Sequence, residues 1–141
     1  MLHLENAIEF RNRGFQVVVA ANPNSELWKR AQKNGFDTMA VRINSLSFLN
    51  IIKLMKLQKQ FSVHKIDTLI FTTSQDFKTA SIAGYLANIP IVVYLRGLAV
   101  PIKRSIVNQF CMTRACTHII ANSEETKRTI LQHFQGILPA D

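Results

Sequence analysis

Acidic residues are scarce in this chain. Its 141 residues include 9 Asp and Glu against 17 Lys and Arg, a formal net charge of +8, and the shortage is unevenly spread. No acid interrupts Arg42, Lys53, Lys56, Lys59 and Lys65, and none interrupts Lys78, Arg96, Lys103, Arg104 and Arg114 between Asp76 and Glu124. Fields of one sign attract phosphate-bearing partners, whether nucleic acid, anionic lipid or sugar phosphate, and sign alone does not choose among them. Cysteine is equally sparse. Cys111 and Cys116 suit neither a disulfide framework nor C-x-x-C chemistry, so a reducing cytoplasm is the expected compartment. His3, His64, His118 and His133 are scattered, and no metal site is expected. No apolar run approaches the ~20 residues of a membrane span, and His3, Glu5, Asn6 and Glu9 break up what would otherwise be a leader. G-x-G-x-x-G, G-x-x-x-x-G-K-[ST], G-x-S-x-G and any aromatic-interleaved basic motif are absent. Dinucleotide, nucleotide triphosphate, serine-hydrolase and RNA-binding readings therefore lose their support, and nucleic acid is not expected as a partner.

What is present is a core. Hydrophobic residues make up 48% and charged residues 18%, which excludes a disordered chain and suits one domain. The stretch from Ile66 to Leu98 organises the rest. Ile66 to Thr73 is apolar and rich in β-formers, and Thr72, Thr73 and Ser74 supply helix-capping hydroxyls. Phe77, Ala80, Ile82, Ala83 and Leu86 then recur at helical spacing, and Asn88-Ile89-Pro90 closes that helix before a second apolar run, Ile91 to Leu95. Two buried strands joined by a helix imply a parallel βαβ unit.

The flanking segments repeat the alternation. Leu2 to Arg13 reads as a helix ending at Asn12-Arg13-Gly14, Phe15 to Ala21 as a strand, and Glu26 to Lys33 as a helix capped by Ser25 and ended by Asn34-Gly35. Asp37 to Ile43 reads as a strand, followed by a long helix from Leu46 to about Phe61 capped by Ser45. On it Phe48, Ile51, Ile52 and Met55 are expected to face the core, with Lys53, Lys56 and Lys59 as a basic strip. Pro101 to Ala115 is expected as a helix with Ile102, Ile106, Val107, Phe110 and Cys111 inward, Thr117 to Asn122 as a strand, and Ser123 as the cap of a last helix reaching Phe134. The fold expected is α/β, a Rossmann-like doubly wound parallel sheet with helices on both faces. One domain over residues 1–135 and the start of a linker over 136–141 are expected.

Ligands of such sheets sit at the carboxyl ends of strands, which draws attention to Asn22 to Ser25, Thr72 to Ser74, Arg96-Gly97 and Asn122-Ser123. A guanidinium at a strand's end can grip phosphate or carboxylate, and a following glycine lets a ligand approach the backbone. Pairing with a loop carboxylate is the plainer role for Arg96. Thr73 and Ser74 can hydrogen-bond an anion at a helix start or simply cap it, and Ser123 reads as a cap rather than a nucleophile. The lysine strip is either a solvated face or a surface for anionic lipid, together with Lys103 and Arg104.

Taken together, Asn12-Arg13-Gly14-Phe15 before QVVVAAN, the SELWKRAQKNG helix, IDTLIFTTS, PIVVYLRG and THIIANSEETKRTIL resemble the N-terminal domain of family-4-type glycosyltransferases of the two-domain GT-B architecture. The resemblance covers nearly the whole chain. It implies a hexosyltransferase whose N-terminal domain attends to the acceptor, a glycan or lipid-linked sugar. The nucleotide-sugar donor is left to a C-terminal domain, and no cofactor is implied for this chain. Arg96, Gly97, Thr73, Ser74 and Ser123 then become the acceptor-side residues. Arg96 stands where many relatives carry a reaction-centre His, so no catalytic residue is carried over. The family normally begins with a strand and glycine-rich loop ahead of the first helix, whereas this sequence opens on the helix and ends where a donor domain would begin. The strands near Phe15 and Ile66 would flank the absent strand, so marginal stability is expected. Two functional readings follow. One is the acceptor-side domain of a transferase acting in polysaccharide or glycolipid assembly, inactive alone. The other is a non-catalytic acceptor-binding or membrane-docking subunit paired with a separate donor-binding chain, peripheral on the inner membrane face.

Overall fold

In the computed structural model, which describes residues 2–97, 100–134 and 136, the apolar runs bounded by capping residues become short parallel strands. The chain divides into two compact units, residues 1–43 and 44–141.

The first unit holds α1 (Leu2–Asn12), β1 (Val18–Ala21), α2 (Glu26–Lys33) and β2 (Asp37–Ala40). β1 and β2 pair in parallel, Val18 opposite Asp37 and Ala21 opposite Ala40. Leu4, Ala7, Val19, Ala31 and Phe36 form the core, with Ile8, Val17 and Leu27 against it. Both helices end alike: Gly14 and Gly35 adopt φ of +93° and +74°, and the residue after each, Phe15 or Phe36, donates its N–H to the carbonyl five residues back. Glycine reaches this left-handed conformation without the steric cost borne by other residues. The Arg11 guanidinium adds a bond to Asn34 O at 2.7 Å and lies 4.1 Å over the Phe36 ring, tying α1 to the end of α2.

The second unit holds a 3-10 turn (Ser47–Leu49), α3 (Ile51–Val63), β3 (Thr68–Phe71), α4 (Ser74–Leu86), β4 (Ile91–Arg96), α5 (Ile106–Phe110), a π-helical turn (Cys111–Ala115), β5 (His118–Ala121) and α6 (Glu124–His133). Its sheet is parallel, in the order β3-β4-β5. α4 packs closely because it carries a glycine at the contact: a Cβ on Gly84 would lie 3.1 Å from Leu69 Cδ2 and 3.2 Å from Val92 Cγ2. The rings of Phe71, Phe77 and Tyr94 form a triangular cluster, Tyr94 lying 5.2 Å from Phe71 and 4.7 Å from Phe77 and these two 6.5 Å apart, which links β3, β4 and α4. Such aromatic contacts add to the area they bury.

The architecture is the expected α/β one, with parallel strands and helices between them. Several details differ. The strands are shorter than the apolar runs, while the strands near Phe15 and Ile66 lie in different sheets, as strands flanking an absent one would. The helix expected from Leu46 is a 3-10 turn followed by α3, whose cap is Asn50 rather than Ser45: Asn50 Oδ1 accepts from Lys53 N at 3.2 Å. The inward face also changes. Leu54, Leu57 and Phe61 are buried, whereas Ile51, Ile52 and Met55 are exposed. In the segment Pro101 to Ala115 the helix starts only at Ile106, capped by Ser105, and Ile106 itself is exposed while Cys111 and Met112 are buried. Leu86 is likewise exposed. Leu98 and residues 137–141, the latter in the expected linker, lie outside the described residues.

The register makes β3 an edge strand whose hydrogen-bonding alternates. Ile91 N bonds Asp67 O, and Thr68 lies opposite Ile91, so Leu69 and Phe71 turn their backbone groups toward β4 while Thr68 and Ile70 turn theirs away. Amide exchange should therefore be fast at Thr68 and Ile70 and slow at Leu69 and Phe71. Equal protection at all four would mean that another strand covers this edge.

Candidate functional site

The carboxyl ends of β3, β4 and β5 meet around one buried cation. Arg96, the last residue of β4, is only 4% exposed. Its Nη1 donates to Tyr94 Oη at 2.6 Å and to Ser74 Oγ at 3.0 Å, and its Nη2 donates to Val100 O at 2.5 Å. Tyr94 lies two residues back on the same face of the strand, and Ser74 opens α4, so the guanidinium joins β4 to the start of α4 and to the loop beyond Gly97. All three acceptors are neutral. Among the described residues no carboxylate forms an ion pair with Arg96, and its buried Nε has no hydrogen-bond partner. A buried charge without a countercharge is expensive.

Around this cation lies an exposed polar rim. Asn122, directly after β5, donates from Nδ2 to Gly97 O at 3.2 Å and accepts from Thr126 Oγ1 at 3.0 Å. Ser123 Oγ contacts the same Thr126 hydroxyl at 3.0 Å and caps α6 by accepting from Thr126 N at 3.1 Å. Thr73 caps α4, accepting from Asp76 N at 3.1 Å, and gives its own proton to the Asp76 carboxylate. That carboxylate already occupies the positive end of α4. Among the described residues, an added Cβ at Gly97 would meet only Asn122 Nδ2, at 3.8 Å.

Of the residues singled out in the sequence, Ser74 and Arg96 are in direct contact, Gly97 and Ser123 are joined through Asn122 and Thr126, and Thr73 is engaged with Asp76. Asn22 to Ser25 follow β1 in the first unit. Sequence reasoning passed over Tyr94, Asn122 and Thr126 as bonding partners. The position of Tyr94 two residues before Arg96 and of Asn122 at the β5–α6 junction were the available signals.

The description Glycosyltransferase Family 4 matches residues 4–140. The chain belongs to glycosyltransferase family 4. Its fold is similar to that of MurG from Acinetobacter baumannii, with a TM-score of 0.67 at 16% sequence identity, over 88% of this chain and 37% of the MurG chain. At that identity the likeness speaks for the GT-B type of fold, and the chain spans little more than a third of that structure's length. No curated protein matches the chain.

The remaining chemistry of this family-4 domain is sparse. Among the described residues no group of three or more His, Cys, Asp or Glu is placed to hold a metal ion. Lys56, Lys59, Lys103 and Arg104 are exposed, while Lys53 is half-buried and its Nζ donates to Ser47 Oγ at 3.4 Å. Cys111 and Cys116 are both buried. Burial pushes the Cys111 thiol up, opposed by the Ser81 hydrogen bond and the Lys78 charge. Burial, with the neighbouring Cys111, pushes Cys116 to about 12.

An unfolded thiol ionises near 9.0 while folded Cys116 holds its proton to about 12. Between those values the unfolded chain binds fewer protons, so stability falls as pH rises through that window. The urea midpoint should drop on going from about pH 8 to about pH 10.5, and Cys116→Ala should show a shallower drop. Identical slopes would remove the assignment.

Proposed function

We propose that this chain is the acceptor-side domain of a glycosyltransferase that passes a sugar from a nucleotide-sugar donor to a glycan or glycolipid acceptor of the cell surface. Family membership supports the reaction class. The observation that carries the acceptor site is Arg96: a guanidinium with an unpartnered Nε and no countercharge, at the carboxyl edge of a parallel sheet where such folds bind ligands. A phosphate or carboxylate of the acceptor, held at the exposed rim beside this buried cation, supplies the missing negative charge through space. Gly97, Ser74, Thr73 and Ser123 form the polar rim that receives the sugar hydroxyls, and Asn122 holds Gly97 in place. The donor is bound by a domain or partner chain beyond these residues, which also stabilises the departing diphosphate.

A second reading is a non-catalytic subunit that binds acceptor or docks on the inner membrane face and pairs with a separate donor-binding chain. The exposed Lys56, Lys59, Lys103 and Arg104 favour a membrane contact, while among the described residues no helix is long and apolar enough to cross a bilayer.

The test is an amide-resolved NMR titration of the whole chain with two acceptor probes in mixed micelles, a prenyl-diphospho-sugar and a glucosyl diacylglycerol. Shifts are expected at Gly97, Asn122 and Ser123 with at least one probe. Gly97→Ala, which meets nothing closer than 3.8 Å, should bind roughly tenfold more weakly. Unmoved amides at these three positions with both probes would refute the acceptor site.

A further inference from the structure

The start of α6 is built differently from a plain capped helix. Ser123 is the cap, and the third residue after such a cap is the place where a capping box puts Glu or Gln to satisfy the cap's own N–H. Here that residue is Thr126, only 2% exposed, and its hydroxyl turns to the residue before the cap, donating to Asn122 Oδ1 at 3.0 Å. Asn122 is itself exposed and reaches onward to Gly97 O at 3.2 Å. Ordering an exposed side chain by two bonds costs it rotamer freedom and adds nothing to the core. What these bonds hold is the residue after Arg96, the cation whose buried Nε has no hydrogen-bond partner among the described residues.

The protons of this relay run in one sense. A carboxamide oxygen only accepts and its nitrogen only donates, so the bond from Asn122 Nδ2 to Gly97 O fixes the amide with Oδ1 toward Thr126. Thr126 has one hydroxyl proton, and Asn122 takes it. The 3.0 Å contact between Ser123 Oγ and Thr126 Oγ1 therefore has Ser123 as its donor. Ser123 Oγ also accepts from Thr126 N at 3.1 Å, which leaves its oxygen one lone pair. In a plain cap the serine proton turns freely, and the hydroxyl meets donors and acceptors alike. At Ser123 that freedom is gone, and the exposed oxygen meets donors alone.

We propose that Thr126 is a positioning residue of the acceptor site: by taking the Ser123 proton and fixing the Asn122 amide, it makes Ser123 a one-way acceptor that selects a free hydroxyl of the acceptor sugar. This rests on the acceptor site of the preceding subsection and adds to it the sense of one hydrogen bond. A sugar hydroxyl donates to Ser123 Oγ without displacing any bond of the relay. A group that cannot donate, such as fluorine or an ether oxygen, meets a lone pair and forfeits the bond. Arg96 answers the charge of the ligand, and Ser123 answers its hydroxyl.

The experiment is the amide-resolved titration of the whole chain in mixed micelles with prenyl-diphospho-glucose and glucosyl diacylglycerol, and with analogues of each in which one glucose hydroxyl is replaced by fluorine. Wild type is expected to bind at least one fluoro analogue about fivefold more weakly than its parent. In Thr126→Val, which keeps the branched shape and removes the hydroxyl, Ser123 regains a free proton and that preference should disappear. Thr126→Ser should restore it. The Asn122 Nδ2 signals should follow the same pattern, moving toward those of a free amide in the valine variant and returning in the serine one. Asn122 and Ser123 are exposed, so water satisfies the groups that Thr126→Val releases, and an unchanged circular dichroism spectrum verifies the fold. Should that variant fail to fold, Ser123→Gly, which an N-cap tolerates, is expected to abolish the preference, and its survival there would refute the inference. A preference kept in full by Thr126→Val, or lost in Thr126→Ser, would overturn the role of Thr126. Equal binding of parents and analogues by wild type would overturn it too and leave the acceptor site standing. No binding of either parent would overturn both.

Discussion

A single guanidinium carries the architecture at the ligand edge of the second unit. Arg96 bonds the hydroxyl of Tyr94, the hydroxyl of Ser74 and the carbonyl of Val100, and through these it joins the end of β4 to the start of α4 and to the following loop. The Tyr94 ring itself packs against both Phe71 and Phe77, so the position of the cation follows from the packing of this aromatic cluster. A hydrogen-bonded relay through Asn122, Thr126 and Ser123 extends the same fixation to β5 and α6. The electrostatic deficit these bonds leave is the charge of Arg96, which neutral acceptors solvate without cancelling.

That deficit connects fold to function. A parallel sheet opens its ligand crevice at the carboxyl ends of its strands, and the proposed acceptor site lies at that edge. Glycine at position 97 leaves the backbone open to approach, with nothing among the described residues inside 3.8 Å of an added Cβ.

Local signals in the sequence were read well where one residue type has one role. Ser25, Thr73 and Ser123 cap the helices they were expected to cap, because a short hydroxyl side chain satisfies an otherwise orphaned N–H. Gly14 and Gly35 end helices as their freedom at positive φ allows. Lys65 and Asn88 take the same conformation, φ 52° and 55°, and only the asparagine announces it. The phase of α3 was not legible, since Ile51, Ile52 and Met55 and the set Leu54, Leu57 and Phe61 both recur at helical spacing. Two apolar stripes on one helix leave the choice to tertiary packing, which the chain makes by starting the helix at Asn50 and turning Leu54, Leu57 and Phe61 inward. Arg96 was conspicuous as a site residue, but its burial and its bonds depend on loop and aromatic neighbours that periodicity does not place. The same holds for the short strands: apolar runs of seven or eight residues became ladders of four because pairing, not composition, sets where a strand ends.

The most direct measurement is urea unfolding of Arg96→Ala beside the wild type, each with and without a prenyl-diphospho-sugar. If Arg96 both braces the site and awaits an acceptor anion, the variant loses about 3 kcal/mol, since several buried polar groups lose their partner, and the probe stabilises the wild type alone. A variant as stable as the wild type, or one stabilised equally by the probe, would contradict this role for Arg96.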